Sequence, residues 1–375
     1  MSKRVLLVGA TGYAGRSLAG YLLEHTDATI ILAARNRTRL HEILSAPILR
    51  DGGDRIETLE LDATDFDPAA VGDFDLLANA TGDGPHNAPL IEACLDRGAD
   101  WIDMQMTNEL LDPPSELRAR VESAGSCFVI QAGFHPGMVA PLVRYADQQM
   151  NTMDRAIVGS VLRDEGGMPF TSGFSELVES FRDYTGEAYE DGEWQKLKAT
   201  EYPRIVFEHG FGELVTYPME LPELRRLVDS MPDLKATGFS VAGFNWFGDY
   251  VVTPLIIIGS RIAPRSKLVP LGKLLSWSTR TFAKPPYGTI VQVDAEGRRG
   301  DRPAHFRLAL FHDDAYAMTT APTMAMIRQM LKGSVEPGIH LMGLCCDPIE
   351  LLDDIERTDV AVTWSTDDTG QAAPR

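Results

Sequence analysis

The sequence is short of cysteine, of long apolar runs and of positive charge. It has 4 Cys among 375 residues, without the spacing of a metal site or the density of a disulfide framework. The longest apolar run, from Val251 to Gly259, is interrupted by Pro254 and is far below the ~20 residues that span a bilayer. The net charge is −19, with 54 Asp and Glu against 35 Lys and Arg. We therefore expect no metal site, no integral membrane span and no nucleic-acid partner.

The rest of the composition is that of a folded protein. Hydrophobic residues make up 44% and charged residues 24%, and the length of 375 residues is sufficient for two domains with separate cores. The chain passes from Met1 directly into a strand and a glycine turn, so we expect no cleaved signal. Together with the sparse cysteines, this favours a cytoplasmic protein.

The first third of the chain alternates short apolar runs with amphipathic stretches. This pattern predicts a parallel sheet covered by helices on both faces, and right-handed crossovers favour a doubly wound sheet. The predicted strands are Arg4–Val8, Thr29–Ala34, Ile56–Leu61, Phe74–Ala78, Trp101–Met104 and Cys127–Ile130. The predicted helices between them are Tyr13–His25, Thr38–Ser45, Asn87–Arg97 and Ser115–Ser123.

The pattern changes after about residue 154. Longer alternating runs separated by Pro and Gly turns predict a second, α+β domain built on a mixed sheet. A later helix, Ala321–Leu331, ends before Gly333 and is expected to return to the first domain. The predicted organisation is a first domain at 1–133, a second domain at 134–318, a returning segment at 319–364 and a disordered tail at 365–375.

An apolar strand, a tight glycine turn and the start of a helix stand at the N-terminus, in the stretch from Val5 to Gly15. Gly9 permits the turn, Gly12 lets backbone N–H groups approach a pyrophosphate, and Gly15 lets the helix pack close to the strand. The spacing predicts that the first domain is a Rossmann domain for a dinucleotide. Its predicted cofactor-binding residues are Gly9, Thr11, Gly12, Tyr13, Ala14 and Gly15.

The end of the second strand lacks the Asp or Glu that normally binds the ribose 2′-hydroxyl of NAD. Arg35 and Asn36 stand there instead, with Arg37 and Arg39 close behind. A guanidinium group holds a 2′-phosphate through charge-assisted hydrogen bonds, so the sequence predicts NADP. A solvated basic loop is the alternative interpretation of these arginines.

Two further strand ends are expected to contact the cofactor. Ligands of such sheets lie at the carboxyl ends of the strands. This rule places Asp62 and Ala63 near the adenine, and Ala80, Thr81 and Gly82 near the pyrophosphate and the nicotinamide ribose.

Several stretches together resemble the saccharopine dehydrogenase-like family of reductases, which includes saccharopine reductase, lysine 6-dehydrogenase and carboxynorspermidine dehydrogenase. They are Gly9–Gly15, Ala33–Asn36, Leu61–Ala63, Asn79–Gly82, Ala93–Asp103 and Gln131–Gly137. The likeness covers residues 1 to about 145 well and the rest in outline. It implies an NADP-dependent oxidoreductase that acts on a C=N bond, with a second domain inserted before a final segment that packs back on the first.

His135 is the first candidate for a catalytic residue. It follows the sixth strand, where the nicotinamide is expected, and its unperturbed pKa near ~6.5 suits proton exchange at neutral pH. Family members often have an acidic or small residue there, and a histidine that only orders the loop is an equal alternative. Asp103 and Gln105, after the fifth strand, are further catalytic candidates, although a polar loop at a strand end is the favoured explanation for them.

Two other oxidoreductase classes lack their required residues. A short-chain dehydrogenase needs a Tyr with a Lys four residues later, and none of the 10 Tyr has one. A semialdehyde or acyl-phosphate reductase needs an activated thiolate, whereas Cys127 lies in a predicted buried strand and Cys94 in a helix. Both classes are therefore disfavoured.

The segment 261–284 differs from the acidic chain around it, because it has six Lys and Arg and no Asp or Glu among many apolar residues. It predicts an ordinary amphipathic helix or, alternatively, an interfacial or acyl-binding element. The second interpretation makes the protein an enoyl reductase for a lipid-linked or polyketide alkene.

A third alternative for the function of the whole protein is a redox sensor that binds NADP without turnover. A small-molecule substrate and a homodimer are the expected partners.

Overall fold

The computed structural model describes residues 2–49, 52–66, 71–82, 84–106, 109–166, 184–262 and 269–367. The strands in these residues are β1 Arg4–Val8, β2 Thr29–Ala34, β3 Ile56–Glu60, β4 Leu76–Asn79, β5 Asp100–Asp103, β6 Cys127–Ile130, β7 Thr152–Arg163, β8 Glu187–Glu190, β9 Glu193–Lys196, β10 Arg204–Phe207, β11 Gly212–Met219, β12 Ala236–Ala242, β13 Gly288–Arg299, β14 Arg302–His312, β15 Gly338–Leu341 and β16 Ala361–Asp367.

The α-helices in the same residues are α1 Tyr13–His25, α2 Arg37–Leu44, α3 Asn87–Arg97, α4 Ser115–Ala124, α5 Val139–Gln148, α6 Pro222–Leu227, α7 Thr253–Ile262, α8 Val269–Phe282, α9 Ala315–Leu331, α10 Met342–Cys345 and α11 Pro348–Glu356. A single π-helical turn, Gly248–Val252, leads into α7. The chain divides into two compact units, one of Met1–Met138 with Thr319–Thr358, the other of Val139–Met318 with the residues from Asp359 onward.

The first unit contains a parallel sheet with strand order β15-β6-β5-β4-β1-β2-β3. The order reverses at β1 and β4, as in a doubly wound sheet, so the predicted fold class is confirmed. β15 was not predicted as a strand; it is only four residues long and pairs in parallel with β6. Trp101 and Phe128 are fully buried in the core of this unit, with ring centroids 6.2 Å apart.

Glycine sets the ends of two helices in the first unit. α3 ends at Gly98 and α4 at Gly125, both in the left-handed conformation with φ of 62° and 68°. A residue with a side chain disfavours this conformation, and the glycine lets the chain turn into the next strand. These endings bring β5 and β6 into the sheet.

The second unit contains a mixed sheet of nine strands, with β10-β11-β12-β7-β13-β14-β16 as its main order. β7 pairs in parallel with β12 and antiparallel with β13. Phe207, Phe211 and Ile290 pack together in a hydrophobic cluster of this unit. The α+β domain on a mixed sheet was predicted from the alternating runs and is confirmed.

The C-terminal segment differs from the prediction. Residues 319–358 belong to the first unit, but β16 belongs to the second, where it pairs with β14. The predicted returning segment, 319–364, was therefore too long. The predicted disordered tail was wrong for residues 365–367, which form the end of β16 because each has a partner on β14; residues 368–375 lie outside the described residues.

The predicted basic segment 261–284 falls on the end of α7, on residues 263–268 outside the described residues, and on α8. Within the described part of the chain, no helix has the length and apolar character needed to cross a membrane.

Candidate cofactor-binding site

The glycine turn after β1 is fixed by the neighbouring strands. The N–H groups of Gly9 and Ala10 both donate to the carbonyl of Ala33 in β2, at 3.0 and 3.2 Å. Gly9 has a φ of 84°, and a Cβ there would lie 2.9 Å from the carbonyl oxygen of Ala80. Only glycine therefore allows this turn to lie against the chain that follows β4.

The first turn of α1 is free of negative charge and of side-chain capping. Gly12 is the N-cap residue and has no side chain to accept from the helix, and no acidic residue occupies the first turn. A Cβ on Gly15 would come within 2.8 Å of the Cα of Ala10, so glycine permits the close approach of helix and turn. The first N–H groups of a helix have no intrahelical acceptor and carry partial positive charge, which suits a pyrophosphate.

The predicted 2′-phosphate residues differ in their surroundings. Arg35, Arg37 and Arg39 are all exposed after β2. Asn36 is the N-cap of α2, where its Oδ1 accepts from the N–H of Arg39 at 3.0 Å. Asn36 therefore has a structural function in the absence of any cofactor, whereas Arg35 presents its guanidinium to solvent.

Asp62 lies within the electrostatic range of Arg35. Its Oδ1 accepts from the hydroxyl and the N–H of Thr64, at 2.7 and 3.0 Å. These hydrogen bonds, assisted by the charges of Arg35 and His86, hold the pKa of Asp62 below its usual value. Asp62, after β3, is thus close enough to Arg35, after β2, to respond to its charge, while the predicted neighbour Ala63 is buried in the hydrophobic core.

A buried network of side-chain amides lies beneath the strand ends. Asn79, at the end of β4, donates to Oδ1 of Asn87 in α3 at 3.0 Å. Asn87 in turn donates to Oε1 of Gln105 at 3.0 Å, and Gln105 donates to the carbonyl of Thr81 at 3.3 Å. Asn79, Asn87 and Gln105 are each at least 98% buried. The network joins the chain after β4, the start of α3 and the chain after β5.

Thr81 connects this network to the surface. Its N–H and hydroxyl group lie 3.1 and 2.6 Å from Oδ1 of Asn79, and its hydroxyl lies 2.8 Å from Nε2 of His86. These contacts fix the backbone at Thr81, and Ala80 and Thr81 lie against the turn at Gly9.

Asp103 is buried and holds the ends of β5 and β6 together. Its Oδ2 accepts from the indole N–H of Trp101 at 2.8 Å, and its Oδ1 accepts from the N–H groups of Gln105 and Gln131 at 3.1 and 3.3 Å. Gln131 has a φ of 55°, which a non-glycine residue rarely adopts. The contacts of Asp103 and Gln105, both predicted as catalytic, are thus with neighbouring backbone and buried side chains.

His135 follows β6 and its ring lies 4.1 Å from that of Phe134, between centroids. Its Nε2 is buried, and loss of hydration lowers the pKa of His135 to about 4. The imidazole is therefore neutral at pH 7. The pKa near ~6.5 on which its predicted proton exchange was based does not apply in this environment.

The thiols are equally unsuited to nucleophilic chemistry. Burial raises the pKa of Cys127 to about 12 and raises that of Cys94 further. Both thiols are protonated at neutral pH, so neither is an activated thiolate of the kind that a semialdehyde or acyl-phosphate reductase needs. Among the residues that the structure describes, no three His, Cys, Asp or Glu side chains are grouped to hold a metal ion.

The sequence patterns did not identify His86, Asn87 or Gln131 as residues of the site at the carboxyl ends of the strands. Asn87 and His86 stand at the start of a helix directly after a strand end, which was the available signal. Gln131 opens the stretch Gln131–Gly137 that carries part of the family resemblance, but nothing in the sequence indicates its positive φ.

Comparison with known proteins agrees with this geometry. Residues 5–129 match the model of the saccharopine dehydrogenase NADP binding domain. The carboxynorspermidine synthase of Vibrio cholerae serotype O1 is 24% identical over 90% of this chain and 91% of its own. The corresponding synthase of Vibrio alginolyticus is 24% identical over 65% of this chain and 64% of its own.

Solved structures also resemble the chain at low identity. An engineered D-amino acid dehydrogenase bound to NADP+ has 17% identity and a TM-score of 0.45, covering 96% of this chain and 100% of its own. A myo-inositol dehydrogenase from Corynebacterium glutamicum has 12% identity and a TM-score of 0.44, covering 95% and 94%.

The resemblance stated from the sequence motifs is confirmed by the domain match and by the relatives of similar length. The N-terminal unit is a nicotinamide-nucleotide-binding domain, and the protein is an oxidoreductase. Residues 5–129 are therefore a domain of the saccharopine dehydrogenase NADP-binding type.

Proposed function

We propose that the protein is an NADP-dependent oxidoreductase that reduces the C=N bond of a small molecule or catalyses the reverse oxidation of an amine. The observation that carries the choice of NADP is Arg35, exposed after β2 where an NAD enzyme has a carboxylate. The choice of C=N rests on the family, and on the similarity to a carboxynorspermidine synthase along 90% of the chain.

The residues of the first unit suit this cofactor. The N–H groups at the start of α1 would hold the pyrophosphate, and Gly9 and Gly15 keep side chains out of that turn. Arg35, with Arg37 or Arg39 beside it, would hold the 2′-phosphate. Thr81, fixed by Asn79, would border the nicotinamide ribose. When bound, the nicotinamide supplies or accepts the hydride.

The proton is assigned to His135. Oxidation of an amine releases a proton, and His135 follows β6, the strand end at which the nicotinamide is expected. Because burial holds its pKa at about 4, we propose that His135 takes this proton only when bound substrate raises that pKa. Asp103 and Gln105 are proposed to act indirectly, by holding the backbone after β5 and β6 in place. The homodimer also remains a proposal.

Calorimetric titration with NADPH and NADH, at matched ionic strength, tests the cofactor. We expect NADPH to bind at least tenfold more tightly, a difference of ~1.4 kcal/mol. Arg35→Asp should remove this preference, whereas Arg118→Asp, an equal change of charge on exposed α4, should leave it intact. Equal weak binding of both nucleotides by the wild type, or an unchanged preference in Arg35→Asp, would overturn the assignment.

One observation favours enoyl reduction as a second candidate: apolar side chains are exposed on α7 and α8. A screen of NADPH oxidation with imines and with enoyl thioesters decides between the two. Turnover of imines alone supports the first proposal, and turnover of enoyl thioesters alone replaces it.

A further inference from the structure

Helix α7 of the second unit and the π-helical turn before it present large apolar side chains to solvent. Val251, Leu255 and Ile258 follow one another at helical spacing and are exposed, Ile258 to 60%. Val252 and Ile256, on the other side, are fully buried. Tyr250, in the π-helical turn, is 75% exposed. An ordinary surface helix presents polar residues to water, so this outer face is unexplained by folding of the unit alone.

Helix α8 adds positive charge to the same segment. Its exposed residues include Lys273, Trp277 and Arg280, again at helical spacing, and Lys284 continues the series just beyond the helix end. The opposite side is buried through Leu275. The exposed side of α8 is therefore cationic, with an indole ring that is 48% exposed at its centre.

An aromatic cluster connects the exposed residues before the π-helical turn to α8. The ring of Phe247 lies 6.1 Å from that of Trp277 and 5.5 Å from that of Phe282, between centroids. Trp246, 58% exposed, contacts Phe282 at 5.4 Å. The rings pack on one another and at the same time face solvent, so the outer surface is continuous from Trp246 to the cationic side of α8.

The charge of this region decides between two possible occupants. No Asp or Glu occurs from Tyr250 to Val293, although the whole chain has a net charge of −19. Two copies joined through this face would each bring its cations, with no carboxylate from residues 250–293 to pair with them. A surface of anionic lipid headgroups attracts them, and Trp and Tyr are the residues favoured at such interfaces.

We propose that this face of the second unit docks on the surface of a bilayer that contains anionic lipids, without crossing it. The face, called the interfacial face below, is defined by Tyr250, Leu255, Ile258, Lys273, Trp277 and Arg280. Apolar side chains enter the headgroup region while the cations contact lipid phosphates. The acidic remainder of the protein is repelled, so docking occurs in one orientation.

Flotation with lipid vesicles tests this proposal. The purified full chain is mixed with vesicles of phosphatidylcholine, or with vesicles that contain phosphatidylglycerol as well. We expect the chain to float with the anionic vesicles and to be released by high salt. Lys273→Glu with Arg280→Glu, and separately Trp277→Ala, should each lower the bound fraction at limiting lipid at least tenfold.

Matched variants elsewhere in the second unit serve as controls. Lys196→Glu with Arg302→Glu changes the charge equally at exposed positions, and Trp364→Ala removes another exposed indole, 65% accessible. Both should float like the wild type. Unfolding midpoints within about 2 °C of wild type show that each variant is folded.

The proposal is overturned if the wild type does not float with anionic vesicles, or if control and interfacial variants lose binding equally. Sedimentation equilibrium without lipid provides a further check. If Trp277→Ala converts a dimer to a monomer, the interfacial face is a contact between copies and the lipid proposal is wrong.

Discussion

The edge of the first unit and the interfacial face of the second use polar and apolar residues in opposite ways. In the first unit, Asn79, Asn87 and Gln105 are buried and satisfy one another. In the second, Ile258 and Trp277 are large, apolar and exposed. Removing the partner of a buried amide destabilises the fold, because the amide is left without a hydrogen bond. Removing an exposed apolar side chain destabilises it much less. The first arrangement is therefore built for a fixed shape, and the second for contact with something outside the unit.

The largest effect is expected for Asn87→Ala. The substitution leaves the amide N–H of Asn79 and Oε1 of Gln105 buried without their present partner. We expect the free energy of unfolding to fall by about 2–4 kcal/mol, measured by urea denaturation. Asp96→Ala, at an exposed position of the same helix, is the control. Equal small losses in both variants would show that the amide network does not hold this edge.

The loss of folding stability at acid pH should depend on His135. Its pKa of about 4 in the folded state is below the ~6.5 of an unfolded chain, so the unfolded chain binds more protons between these values. Stability therefore falls as the pH drops from 6.5 to 4, by up to about 3 kcal/mol. His135→Gln should flatten this dependence in denaturation curves, and exposed His41→Gln should not. Parallel curves for both variants would contradict burial of the imidazole.

A smaller effect on stability is expected at Asn36, and it distinguishes helix capping by this residue from direct contact with the cofactor. Because Oδ1 of Asn36 accepts from the N–H of Arg39, Asn36→Ala should cost ~1 kcal/mol of stability. Asn36→Ser should retain most of the stability, since a hydroxyl also caps. If NADPH affinity follows stability across both variants, Asn36 acts through α2. A loss of affinity in Asn36→Ser at full stability would show direct contact with the nucleotide.

The smallest effect on stability is expected at Trp277. The ring is half exposed and contacts Phe247 and Phe282, so Trp277→Ala should lower the free energy of unfolding by about 1 kcal/mol or less. Thermal denaturation measures this. A loss as large as that of Asn87→Ala would remove the contrast between the two regions and make the aromatic cluster part of the core.

Much of the first unit was predictable because its patterns are local. The helices Tyr13–His25 and Asn87–Arg97 were predicted with the bounds that the structure has, since a glycine turn or a C-terminal glycine marks each of them. β15 was not predicted, because four residues show no period and become a strand only through pairing with β6.

The candidate site was predictable in its backbone but less so in its side chains. The turn at Gly9 follows from spacing, and its tight packing against Ala80 agrees with that spacing. The contacts of Gln105 depend on Asn87, eighteen residues earlier in sequence, which no local pattern reveals. Likewise, the low pKa of His135 arises from burial, which only the folded structure determines.

The path of the chain has a consequence for its synthesis. The first unit is completed only by residues up to Thr358, since β15 pairs with β6 and covers that edge. At ~10 residues per second a ribosome needs roughly half a minute to reach that point. From the synthesis of β6 until that of β15 the nascent sheet has an open edge at Cys127–Ile130, and any product truncated before Gly338 keeps it open. Chains that lack β15 are therefore exposed to edge-to-edge aggregation through β6.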